Sequence, residues 1–143
     1  MAALTIDTIR ARVTSLLTRA PFAFTVSPEP YSFDRLPNAV IDASFGLESE
    51  SMQVQGGSHF TEVRVDRLTV SVARLHDSQP DACYQALLAD CSSITAAVVR
   101  DGATTSGDYD VPDEGRGYGI LHETGRAFSI LRLTLPVDYE AQL

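Results

Sequence analysis

The stretch GDYDVPDEGRGYG, residues 107–119, gathers four carboxylates and four glycines, a local excess of groups that elsewhere hold cations or wrap phosphates. Asp108, Asp110, Asp113 and Glu114 offer the oxygen ligands of a calcium loop, which alternates ligands and turns on a glycine. The spacing fails. Counted from Asp108, the fifth position is Pro112, the sixth is Asp113 where the glycine belongs, and the ninth is Arg116. Gly115, Gly117 and Gly119 form GRGYG, which has neither the spacing nor the strand-then-helix setting of a dinucleotide fingerprint, and no lysine follows to make a phosphate loop. The segment reads as a solvated, turn-rich loop of flexible backbone that holds no metal and no cofactor.

The other residues able to do chemistry are dispersed. His59, His76 and His122 stand far apart, with no H-x-x-x-H or C-x-x-C spacing to converge two ligands from one element, and read as surface or loop histidines. Cys83 and Cys91 fall eight apart in a helical segment, about 12 Å along its axis, beyond the roughly 7 Å that a disulfide tolerates between Cα atoms. They read as two small buried thiols of a reducing compartment. No serine sits in G-x-S-x-G, and nothing beside either cysteine would activate it. No catalytic residue is expected.

The 143 residues are enough for one domain with its own core. Eleven basic residues, all arginine, against nineteen acidic ones leave a net charge of −8, which opposes tight binding to a phosphate backbone. No apolar run is expected to approach the ~20 residues of a bilayer span. The start, MAALTIDTIR, lacks the basic and then apolar segments of a signal peptide. The expectation is a soluble, intracellular chain.

The elements that must position these residues are legible from periodicity. Ile6, Ile9, Val13, Leu16, Leu17 and Ala20 recur at helical steps, with Thr5 as cap, Asp7 in the first turn and Pro21 beyond the end. Phe22, Phe24 and Val26 alternate briefly before a proline-rich connector whose aromatics need burial. Ala39, Ile41, Ala43, Phe45 and Leu47 predict a half-buried strand from residue 39. Residues 48–60 are expected to form a hairpin arm or a loop around Gly56-Gly57. From Phe60 to Leu75 a strand is expected with a phase slip at Asp66-Arg67, hence a bulge or twist.

A second helix is expected after Ser78, capped through Asp81 and carrying Tyr84, Leu87, Leu88, Cys91, Ile94 and Val98 on one face until Asp101-Gly102 stops it. AFSILRLTLPVDYEAQL predicts a last strand that slips phase after Ile130, with Pro136 marking an edge or the end of pairing. Two helices with one apolar stripe each need one partner. The predicted fold is α+β: a mostly antiparallel β-sheet with both α-helices packed on one face, burying Ile9, Val13, Leu16, Leu87, Cys91 and Ile94 together, and long loops or a hairpin arm. The opposite sheet face is expected to stay open to solvent or subunits.

TIDTIRARVTSLL, FTEVRVDRLTVSVARL, DACYQALLADCSSITAAVV and AFSILRLTLPVDYE, in that order, resemble the pattern of tail terminator proteins of long-tailed bacteriophages, over about half the chain. The resemblance rests on element order and size rather than on a diagnostic motif. It implies a structural virion subunit without catalysis, forming a six-membered ring that stops tail-tube polymerisation and joins the tube to the head connector. Its implied partners are its own copies, the tail tube protein and a connector or stopper protein. DNA would pass transiently through the lumen, where an acidic wall avoids sticking, and no membrane is involved. The implied place is the neck of the virion, after assembly in the host cytoplasm. The alternatives carried beside it are a small-molecule-binding or other intracellular assembly domain, and an enzyme with a dispersed site. Met52, Val54, Phe60, Asp108, Asp110, Arg116 and Tyr118 are the expected subunit-contact residues. Loop 107–119 is expected to offer its carboxylates to solvent or to arginines of a neighbour, and deletion of 108–118 to leave the monomer folded.

Overall fold

The computed structural model of the chain describes residues 4–57, 61–76, 79–105, 107–123 and 125–142. Helix α1 spans Ile6–Thr18, and Thr5 caps it by accepting the Thr8 N–H at 3.2 Å. Strand β1 is Thr25–Val26, β2 is Ser44–Gly57 and β3 is Thr61–Leu75. Helix α2, Pro80–Arg100, runs on into a π-helical turn, Asp101–Thr105, and β4 (Tyr109–Asp110), β5 (Gly117–His122) and β6 (Phe128–Gln142) follow. The six strands form one sheet in the order β1-β2-β3-β6-β4, with β5 also on β6. Only β1 pairs parallel, so the fold is α+β with a mixed, mostly antiparallel sheet.

Both helices lie on one face of this sheet, as the two apolar stripes require. Ile9, Val13 and Leu17 of α1 and Cys83, Leu87, Cys91, Ile94 and Val98 of α2 bury against Leu68, Val70 and Val72 of β3 and Leu131, Leu133, Leu135 and Val137 of β6. Leu16 is a correction. It is half-buried and lines the cleft between α1 and the end of α2, because the step from Val13 to Leu17 already points Leu17 at the sheet. Residues 80–105 together are long and apolar enough to cross a membrane by length and composition. This corrects the expectation that no apolar run reaches that length; six residues of α2 face inward, including Asp90, whose carboxylate takes both arms of Arg74 at 2.6 and 2.8 Å.

The second face of the sheet is partly covered, against expectation. The connector crosses β2 at Gly46, where an added Cβ would stand 2.6 Å from the Pro30 Cα, so no other residue fits. Tyr31 then packs with Ala73, Phe128 and Ile130, backed by Phe33, Leu36 and Val40. Its N–H donates to Ser71 Oγ at 2.9 Å and its hydroxyl meets Ser44 Oγ at 2.6 Å. This cover accounts for the phase slip expected after Ile130. The register of β6 on β3 is unbroken; Phe128 and Ile130 face the connector, while Leu131, Leu133, Leu135, Val137 and Tyr139 face the helices.

Five further expectations change. The strand starts at Ser44 and not at Ala39, because Ala43 takes a φ of 51° that ends extended pairing, and Ile41 is exposed. The irregularity lies on β2, at Met52 and again between Val54 and Gly57, while β3 pairs continuously with β6 through Asp66 and Arg67. Pro136 sits in a central strand. It pairs in register with Arg67 and falls between the residues of β6 that meet β5, ending at Thr134, and those that meet β4, starting at Asp138. A missing N–H is harmless in that gap. Gln79 is the N-cap of α2, with no side-chain cap bond; Ser78 lies outside the described residues. Gly102 does not stop the helix, which continues through Thr105, and its lack of a side chain admits the Tyr109 ring.

Candidate assembly surface

The 107–119 stretch is far more tied down than its composition implied. Tyr109 and Val111 are 5% and 3% exposed and belong to the main core. The Tyr109 hydroxyl donates to Asp101 Oδ2 at 2.7 Å and to the Val98 carbonyl at 3.1 Å, and burial followed by that carboxylate holds the phenol well above its ordinary range. Asp108 accepts both arms of Arg12 at 2.7 and 2.5 Å, so its carboxylate is paired inside its own chain. That bond, followed by the Asp108 charge, raises the Arg12 pKa despite partial desolvation. Arg116 closes the turn on itself, donating to the carbonyls of Val111 and Pro112 at 2.5 and 2.9 Å and pairing with Asp113 at 2.9 Å. A deletion of 108–118 therefore removes core, which corrects the expectation of a dispensable loop.

Asp110 is exposed and stands directly across from Asp138 in the β4–β6 pair. Burial, followed by the charge of Asp110, pushes Asp138 above the usual carboxylate range, and Asp138 Oδ1 has no hydrogen-bond partner. On the other face, Asp66 is 3% exposed and accepts the Tyr139 hydroxyl at 2.7 Å. Tyr139 is pushed up to about 12 by burial and then by Asp66. The two cysteines are buried free thiols, both held above the ordinary thiol range by burial.

The expected contact residues are not brought together in one protomer. β2 pairs antiparallel with β3 from Ser44 to Gly57, so residues 48–57 belong to a hairpin rather than a loop. Met52 and Val54, 46% and 52% exposed, lie on β2, which among the described residues pairs β1 only at Ser44 and Phe45, leaving the outer edge of its later residues without a strand partner among them. Tyr118, 58% exposed, lies on β5, whose partner among the described residues is β6 alone. These are opposite margins of the sheet. Phe60 lies outside the described residues. Sequence periodicity missed β5 because its Gly117 and Gly119 break the alternation of side chains on which a strand is recognised.

One pair of functional groups was also missed. His76, just past β3, and His122, the last residue of β5, meet edge to face across β6 with ring centroids 5.0 Å apart. Both strands flank the start of β6, a proximity that no linear spacing reveals. Among the described residues, no group of three or more histidine, cysteine or acidic side chains could hold a metal ion. The chain matches no known family model, and no curated protein sequence matches it.

Proposed function

We propose that this chain is a structural subunit of a long-tailed bacteriophage, forming a ring that caps the tail tube and joins it to the head connector. The observation that carries the reading is the placement of exposed apolar groups on two different margins of one sheet, Met52 and Val54 on β2 and Tyr118 on β5. A head-to-tail ring needs two unlike patches on opposite sides of each subunit, whereas a two-fold dimer needs one self-complementary patch. Open strand edges beside those groups are ready to pair or pack with a neighbour. The net charge of −8 suits a channel through which DNA passes without adhering. In this reading the chain has no catalytic role, and its partners are its own copies, the tail tube protein and a connector or stopper protein.

Native mass measurement tests it. Six copies of a 15.5 kDa chain give a particle of about 93 kDa, expected for the wild type alone or on tube ends. Val54→Glu and Tyr118→Glu, at exposed positions, are each expected to release monomers with unchanged circular dichroism. A wild type that stays monomeric both alone and with tube protein overturns the ring.

A further inference from the structure

We propose that His76 and His122 are the two protein ligands of a site for a borderline divalent transition-metal cation, of the zinc, nickel or copper kind. The strands bring them together. Leu75 pairs with Phe128 and His122 with Ser129, and the His76 N–H donates to the Ala127 carbonyl at 3.0 Å, so the two imidazoles converge on either side of β6 at its start. Their ring centroids are 5.0 Å apart. Imidazole is a preferred ligand for these cations, and a pair from rigid strands is already oriented.

Both ring nitrogens of His76 are shielded from solvent and have no hydrogen-bond partner. A neutral imidazole carries one N–H and one bare lone pair, and a cation is a partner for the lone pair. His122 Nδ1 lies 3.1 Å from Ser129 Oγ. With Nδ1 donating its hydrogen to that hydroxyl, Nε2 presents its lone pair outward, and Ser129 acts as a positioning residue that holds the tautomer. His76 lines a cleft of about 380 Å³ with Asp42, Arg74, Gln79 and Cys83, in which Asp42 accepts the Leu75 N–H at 2.9 Å. Since no third protein ligand is present among the described residues, the remaining coordination positions fall to water. When bound, it ties the end of β5 to the end of β3 over β6.

Calorimetric titration of the full chain with zinc and nickel chlorides, in a buffer that does not chelate, tests the site. One cation per chain is expected, with affinity falling by roughly tenfold or more in His76→Gln and in His122→Gln, and unchanged in His59→Gln. Binding no stronger than millimolar, or binding lost in only one of the two variants, overturns the clamp. Should a variant fail to fold, the imidazole proton resonances of the wild type decide the matter. Nickel broadening both His76 and His122 first supports the site, and broadening that begins at His59 overturns it.

Discussion

Asp138 shows how one residue's surroundings become a pH dependence. The desolvated carboxylate faces Asp110, so the folded chain favours its protonated form. A raised folded pKa contributes stability that is complete below the unfolded value of 3.8 and is lost as pH rises through the folded value. Asp138→Asn keeps the neutral form throughout, and is expected to exceed the wild type at neutral pH by roughly 0.2–1 kcal/mol, solvent screening keeping the gain small. Urea titrations at pH 7 and near pH 3 check it; a gap that fails to close in acid would mean the charge is not the cause. Tyr139→Phe works in the opposite direction. It takes the hydroxyl donor from a carboxylate that is 3% exposed, and is expected to cost about 1.5–3 kcal/mol. Neither site was legible in the sequence, because Asp66 and Tyr139, like Asp110 and Asp138, meet only through strand register. The pairing of Asp108 with Arg12, 96 positions apart, was hidden for the same reason.

At the scale of elements, periodicity works where an element has one buried face. The two helices and the helix-facing sides of β3 and β6 were legible on that ground, down to Ile9, Val13, Leu87 and Ile94. It misleads where both faces are covered, since Phe128 and Ile130 pack under the connector and their neighbours under the helices, which imitates a slip. It is silent where side chains are short, as in β5. The loop between α2 and β5 is a third case, in which turn-forming composition masked two core anchors. Deleting residues 108–118 is now expected to unfold or severely destabilise the chain, because Tyr109 and Val111 leave the core and Arg12 loses its Asp108 partner. Loss of two buried side chains of this size costs on the order of several kcal/mol, a large part of a domain's net stability. Thermal melting of the deletion checks it, and a midpoint within a few degrees of the wild type would return the segment to the status of a surface loop.

For the whole molecule, the division of labour between strands governs more than shape. β6 pairs with β3 along fifteen residues and carries β5 and β4 on its other side. It also lines the floor of both apolar clusters. Yet it is the last of these elements in chain order. As the chain emerges from the ribosome, the β2–β3 hairpin is complete long before the strand that shields it, leaving the inner edge of β3 bare and both helices without half of their floor. Pairings that close over such separations are slow, in the millisecond-to-second range of sheet-dominated domains, and a bare edge in that interval invites pairing with other nascent chains. Acquisition of the native state therefore waits on the synthesis of β6, and a refolding experiment is expected to show a single late step in which helix packing and closure of the sheet occur together.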